Sequence, residues 1–397
     1  MNLKRQFFFL HIYNFLVSFR VADGVWVVFL LARGFSLAQV GIAEGVFHVV
    51  SFLCEVPSGM LADLVGRKRA LALSGLFGML SALTMAFSQD FFGVCLSMAF
   101  QALMYNLCSG TQEALTYDSL KAAGQEGSYL KRNAWLMGSA QVASSLSSLL
   151  GGAAALLGYF PAYLITAACS AVCASAALAL VEPQVTEAQR QRNQHPFAQL
   201  GPRFRAHLRE SWSFFRRNPR AAYKILASAG AATPIYLTFM YLQQHLLDTG
   251  LPELFLGAAL MSLGLLGTAG MALSTRVKGR LFPLAVGCGL FCGIATCLAG
   301  APWWPLSLLG GALAFLFSRL LDLRVDAALN DDFPSDQRAT LVSVNSMAYS
   351  LLMIAASPVA GAVGDALGTP FVFLFLGAGL AVCTVLGALW VRRRYRV

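Results

Sequence analysis

The stretch Gly59-Met60-Leu61-Ala62-Asp63-Leu64-Val65-Gly66-Arg67-Lys68-Arg69-Ala70-Leu71 decides the fold. It sets one carboxylate and three consecutive cations between two long apolar runs, 37–61 and 70–88. A turn this short makes the two runs antiparallel neighbours. Each is long enough for the hydrocarbon core of a bilayer, which takes roughly 20 apolar residues to cross. The two glycines permit a tight turn and a close approach of helices. Asp63 ends one rod at the membrane surface, where a carboxylate can cap a neighbouring helix N-terminus. Arg67 can reach an acid on an adjacent helix.

Working outward, the same alternation repeats along the chain. Further apolar runs cover 7–31, 91–111, 134–157, 160–181, 222–247, 254–275, 281–299, 303–323, 340–365 and 370–391. Several breaks are short, such as Gly158 to Pro161 and Ala301-Pro302. Hydrophobic residues make up 57% of the 397 and charged residues only 12%. Soluble domains carry about 25% charged residues. Mean hydropathy is +0.64. Such a chain needs lipid as solvent. Its first run follows Lys4 and Arg5, is too long for a secretory core, and has no small-residue cleavage site after it, so it reads as a membrane helix. The fold class is therefore an all-α polytopic membrane protein with twelve transmembrane helices.

The net charge of +10 would point to nucleic acid in a soluble protein. Here the positions of the charges decide. With the N-terminus in the cytoplasm, all 29 Lys and Arg residues except Arg20, Arg33 and Arg319 fall in inside segments. That follows the positive-inside rule and puts both termini in the cytoplasm. The expected place is a bacterial inner membrane, multi-pass, with the lipid bilayer and no nucleic acid as partner. The polar stretch 182–219 divides the chain into bundles at 1–182 and 220–397, joined by a linker at 183–219. Within it Phe204, Leu208, Trp212 and Phe215 follow helical spacing among Arg205, Arg209, Arg216 and Arg217. That pattern suits either an amphipathic helix on an anionic leaflet or a solvated linker helix.

The opening stretch closely resembles the signature loop of the major facilitator superfamily, G-x-L-A-D-x-x-G-R-[KR]-x-x-L. The preceding Glu55-Val56-Pro57-Ser58-Gly59 resembles many bacterial members, and the six-plus-six layout extends the likeness over the whole chain. The resemblance implies two six-helix bundles and secondary transport by alternating access. It makes Glu55, Gly59, Asp63, Gly66, Arg67 and Lys68 the gating loop, with Asp63 meeting the start of span eleven. The second-half copy, Ser274 to Arg280, keeps its bases and loses the Asp. The antiporter pattern in span five, spaced glycines ending in Gly-Pro-x-x-Gly-Gly, is altered. Here the span runs from Gly138 to Gly151-Gly152 with serines between and no proline, which weakens an exporter reading.

The halves of this superfamily are parallel repeats. Matching Arg132 to Arg338 sets an offset of 206 residues, which pairs Glu113 with Arg319 and Asp118 with Arg324. These four residues are candidates for an inner gate, with Asp322 and Asp326 as local partners. Alternatively Glu113 pairs with Arg67 inside the first half, and Asp118 is a solvated loop residue.

Charges within spans mark a pathway or a pair, because a charge at the bilayer centre costs roughly 2.5–3.5 kcal/mol on insertion scales. Span one carries Arg20 and Asp23, three apart on one helical face, with Tyr13 below. They either neutralise each other or make Asp23 the proton or substrate carboxyl. Span two carries Glu44 and His48, four apart. His48 is either a proton carrier near neutral pH or a hydrogen-bonded core histidine. Gln101, Tyr105, Asn106, Tyr236, Tyr241 and Asn345 complete the pathway set, with Asn14, Gln141, Gln243 and Tyr349 as further polar candidates. Helix–helix bonding is the competing role for each. Pro234 is placed to bend span seven.

The chain has no Walker loop, no HExxH and no GxSxG in a strand–turn–helix setting, so it reads as no enzyme, with no cofactor and no metal. The nine cysteines all lie in apolar runs without a CxxC pair, as small buried hydrophobes do. The leading expectation is proton-coupled export of a small or amphipathic molecule by an antiporter working as a monomer. The alternatives are a proton-coupled importer of a small polar nutrient, and a non-transporting receptor or lipid-handling protein on the same fold.

Overall fold

The computed structural model describes residues 2–183, 219–277, 279–332 and 338–395, with scattered positions between 201 and 218. Apolar runs become helices because only a helix satisfies its own backbone within lipid without a closed sheet. The first half holds α1 (Leu3–Ser18), α2 (Trp26–Ala32), α3 (Leu37–Val65), α4 (Arg67–Phe87), α5 (Phe91–Cys108), α6 (Thr111–Lys121), α7 (Tyr129–Leu157) and α8 (Tyr159–Leu178). The second holds α9 (Pro219–Asp248), α10 (Glu253–Ser274), α11 (Leu281–Ala299), α12 (Trp304–Asp332), α13 (Arg338–Leu367) and α14 (Thr369–Tyr395). Among the described residues there is no strand, and ten helices have the length and hydropathy to cross a membrane. The protein is an all-α polytopic membrane protein.

Two expected spans differ from simple rods. The run 7–31 is not one helix: it breaks between Ser18 and Trp26 into α1 and the short α2. The run 91–111 ends at Cys108, and the chain restarts as α6 after Gly110, whose φ of 72° only glycine adopts readily. Pro234 and Pro358 sit inside helices that continue past them. Phe204, Leu208 and Phe215 of the linker lie outside the described residues, whereas Trp212 is exposed.

The chain forms two compact units, residues 1–24 with 46–210, and residues 25–45 with 211–397. In the first, α4 packs against α5 and α8, and α1 against α7 and α8. Its core gathers Leu10, Tyr13, Leu71, Leu115, Leu136 and Cys173. Gly75 makes the α4–α8 contact possible, since a Cβ there would stand 2.5 Å from the Ala174 nitrogen.

In the second unit α12 packs against α9, α10 and α11, and α14 against α11. Residues 25–45 join it although they are N-terminal in sequence. The carboxylate of Asp365 on α13 accepts from the backbone N–H groups of Leu37 (2.8 Å) and Ala38 (2.9 Å), closing the start of α3. Gly41 and Gly361 bring α3 and α13 into backbone contact. A Cβ on Gly41 would lie 2.2 Å from the Ser357 carbonyl oxygen, and one on Gly361 2.2 Å from that of Leu37.

Candidate transport pathway

The signature loop is built on one glycine turn. Gly66 has φ 103° and joins α3 to α4. The first amides of α4 would be left without intrahelical partners. Glu182, just past the end of α8, accepts from Arg67 N (2.9 Å) and Lys68 N (2.8 Å) and meets the positive end of the helix dipole. The Lys68 ammonium in turn donates to the Leu178 and Leu180 carbonyls. Sequence reading misses Glu182. Its partners are over a hundred residues away, and only its position after an apolar run hints at a role.

Arg67 makes an ion pair with Asp118 and donates to the Ala114 carbonyl (2.7 Å). This corrects the expectation that Glu113 takes Arg67. It also corrects Asp118 as a solvated loop residue, for its side chain is mostly buried in this pair. Glu113 lies just over one helical turn from Asp118, with its Oε2 buried and without a hydrogen bond among the described residues. Arg319 pairs instead with Asp322 on its own helix (3.6 Å), and Arg324 donates to the Gly279 carbonyl (3.0 Å). Gly59 has nothing within 4 Å of a notional Cβ, so the close approach expected of it belongs to Gly75 and Gly41. Asp63 is exposed and Glu55 half-buried on α3.

Arg20 and Asp23 are not on a helical face. They occupy the break between α1 and α2, where Arg20 Nε donates to Asp23 Oδ2 at 2.5 Å. The guanidinium is largely buried and rests against Met104 Sδ (2.9 Å), while the Asp23 side chain is 41% exposed. Irregular backbone at membrane depth is tolerated where it is buried in protein or lines water. Behind the break, Tyr13 donates to Ser74 (3.2 Å), and Asn14 is locked between Gln112 and the Leu136 carbonyl.

Glu44 and His48 are both buried on α3, at 2% and 4% exposure, with the His48 ring edge-on to Phe47. Asn106 is bonded to Ser51 twice, through its amide nitrogen to the Ser51 carbonyl (2.7 Å) and its oxygen to the hydroxyl (2.9 Å). Tyr105 is half exposed, and Gln101 lies one turn before it. In the second unit Tyr241 is fully buried and donates to the Ser357 carbonyl (3.4 Å), Tyr236 is partly exposed, and Asn345 has a buried Oδ1 without a hydrogen bond among the described residues. No group of His, Cys, Asp and Glu among the described residues could hold a metal.

The sequence profile of the Major Facilitator Superfamily matches residues 11–328 and 279–397. The chain belongs to the Major Facilitator Superfamily. It is 25% identical over 372 residues to an uncharacterized MFS-type transporter, YxaM, of Bacillus subtilis (strain 168), covering 91% of this chain and 90% of that protein. Among solved structures, the nucleoside transporter NupG superposes with TM-score 0.73 at 17% identity, over 100% of this chain and 100% of that one. A D-xylose-proton symporter superposes with TM-score 0.71 at 11% identity, over 98% and 97%. A POT peptide transporter in complex with sulfate gives TM-score 0.75 at 13% identity, over 98% and 94%. At these identities the structures establish the shared fold. The superfamily member is a membrane transporter.

Proposed function

We propose that this facilitator is a proton-coupled secondary carrier that moves a small polar solute by alternating access, with Asp23 as its coupling carboxyl. The observation that carries this is the Arg20–Asp23 pair at the break between α1 and α2. A carboxylate in an apolar run needs a partner, and Arg20 supplies one while leaving Asp23 partly open. A proton or a solute group arriving at Asp23 competes with Arg20, so binding and proton uptake act on the same two atoms. Glu44, His48 and Glu113 are the further groups that could pass protons. Gln101, Tyr105, Tyr236 and Asn345 supply neutral contacts along the route.

Uptake is the direction favoured over the export suggested by the compact sequence. Span five carries serines where an antiporter would carry a proline and spaced glycines. The reading places the carrier in a bacterial inner membrane as a monomer of twelve spans with both termini in the cytoplasm.

Reconstitution in liposomes with an imposed pH gradient tests it. The wild type should accumulate solute with proton movement, Asp23→Asn should retain exchange but lose gradient-driven accumulation, and Asp23→Glu should keep part of it. Equal accumulation by wild type and Asp23→Asn would overturn the assignment of the coupling carboxyl.

A further inference from the structure

Helix α14 is the most apolar and the least buried of the ten helices able to cross a membrane. At 100° per residue, Phe371, Phe375, Val382, Leu386, Leu389 and Arg393 fall in one narrow sector, and all six are exposed. Hydrocarbon satisfies the five apolar members of that stripe. It does not satisfy the sixth, so the stripe ends on a charge.

Two features flank Arg393. On one side the Trp390 ring stacks on Tyr223 at the start of α9, with centroids 5.5 Å apart and planes 27° from parallel. The Tyr223 hydroxyl reaches over Gly387, where a Cβ would lie 3.1 Å from it. The stack therefore closes the seam between α9 and α14 with an aromatic edge, of the kind that favours the boundary between lipid and water.

On the other side α14 runs antiparallel to α11 at close range. A Cβ on Gly289 would stand 2.6 Å from Thr384 Oγ1, and one on Gly293 would stand 3.1 Å from the Ala381 Cβ. Continued along the pair, that register brings Arg280, just ahead of α11, opposite Arg392 and Arg393. All three arginines are exposed, and their side chains make no hydrogen bond or ion pair among the described residues. No Asp or Glu occurs in α11 or α14, and the only one in α9 is Asp248 at its far end. Like charges gathered in this way repel, and an anion seated among them removes the repulsion.

We propose that this end of α14 is a seat for an anionic glycerophospholipid. Its phosphate rests on Arg392, Arg393 and Arg280, its glycerol edge lies against Trp390, and one acyl chain runs along Leu389, Leu386 and Val382. This goes beyond the transport reading and holds whichever solute is carried. Guanidinium forks match phosphate oxygens, and basic clusters at the cytoplasmic boundary meet the leaflet that carries anionic lipid. The stripe supplies the other half of the recognition. A soluble phosphate would meet the charges but leave Leu386 and Leu389 uncovered. A zwitterionic lipid would cover the stripe but bring its own cation to three guanidinium groups.

Native mass spectrometry of the full chain in detergent tests the seat. Dioleoylphosphatidylglycerol should bind about tenfold more tightly than dioleoylphosphatidylcholine, which has the same chains. Arg392→Gln with Arg393→Gln should weaken the phosphatidylglycerol by about thirtyfold, roughly fivefold for each cation near an anionic group. Arg392→Lys with Arg393→Lys should retain most of the affinity. Lys4→Gln with Lys131→Gln removes equal charge from exposed positions in the first unit and should change nothing. sn-Glycerol 3-phosphate in large excess should not displace the lipid. Equal binding of the two lipids, or an equal loss in the Lys4 and Lys131 variant, overturns the seat. Displacement by sn-glycerol 3-phosphate gives the arginines to a soluble phosphate and overturns the lipid. A dimer that persists without lipid and dissociates in the double glutamine variant gives the face to a second copy of the chain, and overturns the proposal as well.

Discussion

Asp365 closes the first turn of α3 from 328 residues away, its Oδ1 accepting the backbone N–H of Leu37 at 2.8 Å. The second oxygen takes Ala38 at 2.9 Å, so one carboxylate serves two amides that no helical carbonyl can reach. Replacing it by alanine should lower the stability of the purified protein by about 1 kcal/mol, the usual effect of losing an N-cap. Asparagine, which keeps one acceptor, should lose less. Thermal unfolding in detergent, followed by tryptophan fluorescence, reads both, and equal stability of wild type and Asp365→Ala would count against the cap.

Arg67 and Asp118 form a local pair within one unit. Asp118→Asn should destabilise by about 1–3 kcal/mol, because Arg67 keeps its charge and loses its best acceptor. The reversed pair Arg67→Asp with Asp118→Arg should recover part of that loss. Asp118→Arg with Arg324→Asp should not, since Arg324 serves the Gly279 carbonyl. Rescue by the Arg324 combination in a transport assay would restore the inner-gate idea.

Three glycines should respond to alanine in three ways. Gly59 has open space and a helical backbone, so Gly59→Ala should be neutral or stabilise by about 0.5–1 kcal/mol. Gly66→Ala forces φ 103° on a residue with a side chain and should destabilise. Gly75→Ala pushes against α8 and should destabilise by about 1–3 kcal/mol. Denaturation midpoints of the three variants check the order, and a Gly59→Ala as damaging as Gly75→Ala would contradict it.

Asn106 belongs to the join between α3 and α5 rather than to an open surface. Asn106→Ala should cost about 1 kcal/mol of stability. The affinity for solute should stay unchanged, as measured by concentration-dependent thermal stabilisation. A weakened affinity at unchanged stability would return Asn106 to the pathway.

Hydropathy locates nearly every helix, because the bilayer imposes a length and a solvent on each one separately. The turn at Gly66 is legible too, since its glycine and its run of cations are local. The break between α1 and α2 is not. Arg20 and Asp23 are three positions apart, a spacing that suits a helical face as well as a turn, and no proline marks the site. Glu182 and Asp365 stay hidden as helix caps for another reason. Each serves amides more than a hundred positions away, and no periodicity reports such a distance. Repeat symmetry gives Asp118 a partner in the second half, but Arg67 on the neighbouring helix lies within reach and takes it.

Gly41 marks a seam with no room for a side chain. Its hydrogen faces the Ser357 carbonyl at a spot where even a methyl would stand 2.2 Å away. A valine there would act as a doorstop, prising α3 off α13 inside a single compact unit and costing stability that no neighbouring side chain could give back. One hydrogen atom in place of a side chain is thus the condition for two helices more than three hundred residues apart in sequence to lie backbone to backbone.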